Sequence, residues 1–134
     1  MFKIKDIDFR AEDYGVEAYL NNWPMIYILE NGKKAYVGQT NSIVKRMAQH
    51  KNSLAKQEFT KAHFIYSDKF NQSATFDYES KLIGLMAADE LFTLTNLNGG
   101  LSGLDYYDKA FYDREFIDLW EKLKQKNLVK HAIV

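Results

Sequence analysis

The sequence has no cysteine and a single proline, Pro24, among its 134 residues. Without thiols the chain can form neither disulfides nor thiolate metal sites, and a reducing compartment is the simplest setting. Histidine is also scarce, since His50, His63 and His131 are the only three. A cluster of histidines around a metal is therefore a poor expectation, and any bound metal would depend on oxygen ligands.

Long apolar runs and an excess of one charge are missing as well. No run approaches the roughly 20 apolar residues that a membrane-spanning helix needs, and the opening MFKIKDIDFR lacks the apolar core of a signal peptide. We therefore expect a soluble, cytoplasmic protein with no membrane partner. Lysine plus arginine and aspartate plus glutamate number 18 each, for a net charge of +0. Nucleic-acid binding would thus need a local basic patch.

The composition that remains is that of one folded domain, with 46% apolar, 15% aromatic and 27% charged residues. In the stretch WPMIYILENGKKAYVGQTN, residues 23–41, two apolar runs flank Asn31-Gly32. This dipeptide is typical of a type I′ hairpin turn. We predict two antiparallel strands, one containing Tyr27 and the other Tyr36.

Downstream patterns predict helices that cover an antiparallel sheet, which is an α+β fold. Residues 2–9 fit a strand poorly because their apolar alternation slips, and 91–96 are a possible short strand. The other predicted elements are a short helix at 11–22, a helix over 40–54, a third strand at 62–68, a long helix over 71–90 capped at Ser73, and a C-terminal amphipathic helix at 109–127.

Glu79 does not fit a simple packing pattern. At helical spacing it falls near the middle of an apolar stripe made by Phe76, Leu82, Ile83, Met86 and Ala87. A buried carboxylate is costly unless it is paired, hydrogen-bonded or bound to a metal. The simplest explanation is an ion pair with an arginine or lysine, or a side chain that reaches water, and a metal ligand is the functional alternative.

Arg46 and His50 lie four residues apart and share one face of the predicted helix. Arginine can hold a phosphate bidentately, and histidine can accept a proton near neutral pH. Lys45 and Lys51 would add a small basic patch that binds nucleic acid together with Arg46. The simpler interpretation is a solvated polar face, just as Tyr27 and Tyr36 could serve only in packing across the hairpin.

Taken together, these residues resemble the GIY-YIG nuclease superfamily. MIY at 25–27 stands for the first motif and YVG at 36–38 for the second, and Arg46, His50, Glu79 and a later asparagine follow in order. The resemblance covers about residues 23–98. The main departure is Met25, where the motif has glycine.

The resemblance implies a small three-stranded antiparallel β-sheet flanked by α-helices, and metal-dependent hydrolysis of phosphodiester bonds in DNA. It makes Tyr27, Tyr36, Arg46, His50 and Glu79 catalytic, with Glu79 the ligand of Mg²⁺ or Mn²⁺. Free tyrosine is a poor base at neutral pH, and a nearby cation, the metal or Arg46, would favour its phenolate. Gly38, Asn96 and the alternative Asn98 would be supporting residues, although Gly38 could equally be a simple turn glycine.

A closer resemblance extends along nearly the whole chain, through blocks such as AYVGQTN, FNQSATFDYES and AADELFTLTNLNGG. These blocks are similar to an N-terminal nuclease-like domain that precedes a helicase-like ATPase domain in bacterial proteins. We divide the chain into an extension, 1–22, and a nuclease-like domain, 23–134, which could be excised from a longer protein. Two alternatives stay open: a nucleic-acid-binding module that does not cut, and a regulatory or interaction domain for a neighbouring ATPase.

Overall fold

The structure, a computed structural model, describes residues 1–96 and 104–133. Within these residues, five strands form one sheet in the order β1-β4-β2-β3-β5, and three α-helices pack on it. The strands are β1 Lys3–Asp8, β2 Met25–Glu30, β3 Lys34–Thr40, β4 Lys61–Tyr66 and β5 Thr93–Leu94, and the helices are α1 Ile43–Lys51, α2 Gln72–Asp89 and α3 Lys109–Gln125. The α+β class is confirmed.

The expected three-stranded antiparallel sheet is wrong, because two edge strands enlarge it and one of them is parallel. β1 pairs antiparallel with β4, and β5 pairs parallel with β3. The slipping alternation of β1 has a simple cause: Ile4 packs on one side of the sheet and Ile7 on the other, and both sides are covered. β5 has only two residues, too few for a sequence pattern to reveal.

The hairpin forms where the sequence predicts it, but with a different turn. Asn31 N–H donates to the Lys34 carbonyl at 3.2 Å, so Gly32 and Lys33 are the two loop residues. A type I′ turn needs positive φ at both loop residues, and of the two only Gly32 has it, at 88°. The Glu30 carboxylate accepts the Gly32 amide hydrogen at 2.8 Å and so stabilises the turn.

Helix positions agree with the sequence pattern in outline. The cap of α2 is Asn71 and not Ser73, because the Asn71 side-chain oxygen accepts the Ala74 amide hydrogen at 2.8 Å. The expected helix over 11–22 shrinks to a 3₁₀ turn, Ala18–Asn22. No helix within residues 1–96 and 104–133 is both long and apolar enough to cross a membrane.

The two sides of the sheet hold separate apolar clusters, and β2 is buried along its whole length between them. Its odd-numbered residues, among them Met25 and Tyr27, pack with Ile43 and Met47 of α1. Its even-numbered residues, Ile26 and Ile28, pack in the larger cluster with α2 and α3. This alternation places Tyr27 beneath α1, while α2 lies on the opposite side of the sheet.

Candidate active site

Tyr27 and Gly38 are cross-strand partners, and the tyrosine ring occupies the space that a side chain at position 38 would need. Tyr27 of β2 lies opposite Gly38 of β3 in the antiparallel register. A Cβ atom added to Gly38 would lie 2.3 Å from both Cζ and the hydroxyl oxygen of Tyr27, far inside van der Waals contact. Gly38 is therefore required by close packing within a strand, and the turn-glycine explanation does not apply.

His50, in the last turn of α1, contacts the buried tyrosine directly. The Tyr27 hydroxyl and His50 Nε2 are 2.7 Å apart. Burial, followed by the positive charges of Lys56 and Arg46, lowers the pKa of His50 to about 4. The imidazole is therefore neutral at neutral pH and can accept a hydrogen bond at Nε2.

Tyr27 is fully buried, and its environment favours the protonated phenol. Burial, and then the neighbouring Tyr36, raise the pKa of Tyr27, and Arg46 opposes this only in part by favouring the phenolate. A nearby cation was expected to favour the phenolate, but the desolvation of Tyr27 outweighs the effect of Arg46. With His50 neutral, the Tyr27 hydroxyl is the donor and His50 Nε2 the acceptor.

Tyr36 completes an aromatic group around this hydrogen bond. Its ring stacks on Tyr27 with centroids 6.2 Å apart and meets the His50 ring edge-on at 5.3 Å. The Lys56 ammonium lies 4.1 Å from the Tyr36 ring centroid, in the range of a cation–π contact. Tyr36 itself is only half-buried. The two tyrosines predicted from the hairpin thus form one cluster with His50.

Lys56 is a neighbour of the aromatic cluster that the sequence pattern does not reveal. It lies in a 3₁₀ turn, Leu54–Lys56, in a polar stretch with no recognisable motif. The Arg10 guanidinium donates to the backbone carbonyls of Lys56 and Gln57 at 2.8 and 2.6 Å, which fixes the turn. Only the tertiary structure places this cation beside Tyr36 and His50.

Glu79 approaches the cluster from the other side of the sheet. Its helix, α2, packs against the face opposite Tyr27. Burial raises the pKa of Glu79, while a hydrogen bond from the Gln39 backbone amide and the charge of Arg46 act in the opposite direction. The charge of Glu79 also contributes to the raised pKa of Tyr27. The charges of Glu79 and Arg46 therefore both act on Tyr27 in the aromatic cluster. Glu79 acts from the outer edge of β3, where it binds the Gln39 amide.

The outer edge of β3 explains how Glu79 and Asn96 are held. The backbone groups of residues 35, 37 and 39 point away from β2. Directly after β5, the Thr95 amide donates to the Ala35 carbonyl at 2.9 Å. The Asn96 side chain then accepts the Val37 amide hydrogen at 3.2 Å and donates to the Val37 carbonyl, and Glu79 accepts from Gln39. Two side chains thus continue the ladder where the two-residue strand ends.

The other described residues that the sequence associates with the site do not contact the aromatic cluster in the same way. Lys51 donates to the Ala11 carbonyl at 2.7 Å and lies over the Tyr14 ring, so it binds the N-terminal segment. Lys45 is exposed on α1. Met25, at the position of the motif glycine, is fully buried in the cluster that contains Tyr27, so its side chain fills the core. Asn98 lies outside the described residues.

One residue of the predicted apolar stripe is exposed, since Phe76 has 46% of its surface accessible. Glu79 consequently lies at the margin of the buried stripe, where its carboxylate can reach the edge of β3. The predicted carboxylate position is thus half-buried, and the stripe itself is narrower than expected.

The residues present fit a hydrated divalent cation held by one protein carboxylate. Glu79 is half-buried and forms no salt bridge with any described residue. Within residues 1–96 and 104–133, no group of three or more His, Asp or Glu residues could hold a metal ion. Mg²⁺ tolerates such a site, because it prefers oxygen ligands and keeps several of its waters.

Comparison with protein families gives one match. The model described as the GIY-YIG catalytic domain matches residues 24–91, half of the chain. The matched range contains Tyr27, Tyr36, Arg46, His50 and Glu79. The chain therefore belongs to the GIY-YIG family, which is a nuclease superfamily. Comparison with curated proteins and with solved structures gives no match.

Proposed function

We propose that this protein is a metal-dependent endonuclease that hydrolyses phosphodiester bonds in DNA. The observation that carries the proposal is the 2.7 Å contact between the Tyr27 hydroxyl and a neutral His50, with Arg46 and Glu79 both acting on the same tyrosine. Hydrolysis of a phosphodiester needs a proton acceptor for the attacking water and charge stabilisation on the phosphoryl oxygens. The cluster offers side chains for both tasks.

Tyr27 and His50 would act as a proton relay. The raised pKa of Tyr27 keeps its hydroxyl protonated, so a free phenolate is not the base. The attacking water would give a proton to the Tyr27 oxygen while the Tyr27 hydroxyl proton passes to His50 Nε2, which leaves hydroxide for attack and an imidazolium. An anionic phosphate beside the cluster would raise the pKa of His50 and so favour this transfer. Tyr36 would position the water.

Arg46 would hold the scissile phosphate and neutralise the charge that develops on it. Lys56, beside Tyr36 and without a salt-bridge partner among the described residues, would add a second positive charge. Glu79 would hold Mg²⁺ or Mn²⁺, which when bound polarises the phosphate and stabilises the leaving oxygen. Asn96 would support the site indirectly, by fixing β3 beside Gly38.

Cleavage of a panel of linear, nicked, forked and single-stranded DNA with Mg²⁺ tests the proposal. Glu79→Gln and Arg46→Gln should each lower the cleavage rate by more than about 100-fold, the typical effect of removing a group that stabilises transition-state charge. Glu121→Gln, an exposed glutamate on α3, should cleave normally and show that the preparation is active. Wild-type cleavage by Glu79→Gln would refute the assignment.

A nucleic-acid-binding module that does not cut is the second candidate. The observation that favours it is the absence of a ready base, since Tyr27 has a raised pKa and His50 a lowered one. Binding of the same DNA panel without nicking, in Mg²⁺ and in Mn²⁺, would select this candidate.

A helicase-like ATPase domain downstream in the parent protein is a further proposal, based on the resemblance of the sequence blocks. The length of the parent gene, or an ATPase that co-purifies with this chain, would test it.

A further inference from the structure

An aromatic cleft lies apart from the catalytic cluster, between the 3₁₀ turn Ala18–Asn22 and the adjoining ends of β1 and β4. Its volume is about 320 Å³, and its lining includes Tyr19, Trp23 and Tyr66. Tyr19 has 61% of its surface exposed, and Trp23 and Tyr66 are half-buried. Large aromatic side chains are usually buried in a folded domain, so it is unusual that three of them remain accessible around one cavity.

The cleft is held in shape before anything binds. The Trp23 indole Nε1 donates to the Ser67 backbone carbonyl at 2.8 Å, which fixes the ring orientation. Tyr66 is anchored in β4 opposite Lys3 of β1. Ser67 is buried, and its hydroxyl accepts the Lys69 amide hydrogen at 3.1 Å. A preformed cleft avoids part of the entropy cost of ordering side chains when a ligand binds.

The cleft and the catalytic cluster share one side of the sheet. Trp23 and Tyr66 pack against the same apolar cluster that contains Tyr27. Trp23 has an extended backbone, lies two residues before the start of β2, and precedes Tyr27 by four residues in the sequence. At about 3.3 Å per residue the two positions are at most about 13 Å apart, which roughly four stacked nucleotides would span. A strand of several nucleotides is therefore long enough to cover the distance between the cleft and the position of Tyr27.

The chemistry of the lining favours a nucleobase. Aromatic faces stack on bases of any sequence, and Lys3 at the rim can contact a neighbouring phosphate. The Asp68 carboxylate, also at the rim, can accept a hydrogen bond from a base edge and would repel a phosphate from the cleft itself. A base inside a duplex has both faces covered, so only an unpaired base can stack here.

From these observations we propose that the cleft formed by Tyr19, Trp23 and Tyr66 binds an unpaired nucleobase of a nucleic-acid strand that extends from the catalytic cluster. The proposal rests on the proposed function, because it takes a nucleic-acid strand as the ligand. It adds a specificity: substrates with an unpaired segment close to the cut should be preferred over continuous duplex.

Tryptophan fluorescence tests the binding directly, because the chain has only two tryptophans. Trp120 is buried at 3% exposure in the cluster on the other side of the sheet, so a ligand in the cleft should quench Trp23 alone. The probes are a short oligothymidylate, an abasic strand of equal length, and thymidine monophosphate, all without divalent metal. Oligothymidylate should quench, and the abasic strand should bind more weakly without quenching.

Tyr19→Ala should weaken oligothymidylate binding by about fivefold or more, the effect of losing one base–aromatic stack. Tyr107→Ala, which removes a tyrosine that is 87% exposed near α3, is the matched control and should bind as wild type. Equal quenching by the abasic strand, equal affinities of the two variants, or equal affinity for the monophosphate would each overturn the proposal. Failure of the nuclease proposal would appear separately, as no cleavage in Mg²⁺ despite normal quenching.

Discussion

Replacing Gly38 with alanine is the sharpest test of how this site is built. The new methyl carbon would lie 2.3 Å from Cζ and the hydroxyl oxygen of Tyr27. Carbon atoms in contact prefer about 3.5–4.0 Å, so the ring must move by roughly 1.2 Å or more. The ring is buried between β3 and α1, and its hydroxyl is held 2.7 Å from His50 Nε2. Moving it therefore breaks that hydrogen bond.

The expected cost has two parts. Overpacking a well-filled core costs about 1–3 kcal/mol, and leaving a buried hydroxyl without its partner costs about 1–3 kcal/mol more. We expect Gly38→Ala to lower the free energy of unfolding by about 2–6 kcal/mol. If the protein is a nuclease, the displaced Tyr27 should also lower cleavage by roughly 100-fold, the penalty for a misplacement of about 1 Å.

Urea denaturation measures the first effect, and Gly84→Ala is the matched control. Gly84 is exposed in the middle of α2, and a Cβ there meets nothing within 4 Å. Alanine is the better helix former, so Gly84→Ala should raise the free energy of unfolding by about 0.5–1 kcal/mol. Glycine to alanine should thus lower the free energy of unfolding at position 38 and raise it at position 84. A Gly38→Ala variant that unfolds at the wild-type urea concentration would refute the packing argument.

Two further predictions concern the surroundings of Tyr27. The pKa of His50 is about 4 in the folded protein and near the ordinary 6.5 when unfolded, so the unfolded chain takes up a proton first. Stability should therefore fall as the pH drops from about 6.5 to 4, and Lys56→Met should raise the His50 pKa and reduce this fall. Urea titrations across that range, with imidazole NMR shifts, measure both effects, and an unchanged His50 pKa in Lys56→Met would contradict the role of Lys56. Asn96→Ala leaves the Val37 amide and carbonyl at the edge of β3 without their hydrogen-bond partner, and should lower the free energy of unfolding in urea by about 1–3 kcal/mol. The control Asn21→Ala, at an exposed position, should leave the free energy of unfolding unchanged. Equal stabilities of the two variants would show that Asn96 does not support β3.

Local sequence was sufficient for the hairpin and for most helix positions. The apolar runs around Asn31-Gly32, and the alternation of β2 side chains between the two sides of the sheet, depend on neighbours a few residues away. Such patterns can be recognised from the sequence alone. The same holds for Arg46 and His50, whose four-residue spacing fixes them on one side of α1. The family assignment also follows from sequence alone, since it depends on the order of short motifs.

Long-range contacts decided the rest. β1 and β5 pair through their backbones with strands far away in the chain, and a mostly polar edge strand or a two-residue strand leaves no apolar period to read. Lys56 reaches Tyr36 only because the turn that carries it folds against the cluster, and no spacing rule encodes that contact. Tyr27 shows both contributions. The sequence indicated that this residue belongs to the candidate site. Its pKa, however, depends on desolvation between Gly38 and α1, and only the tertiary structure determines that burial.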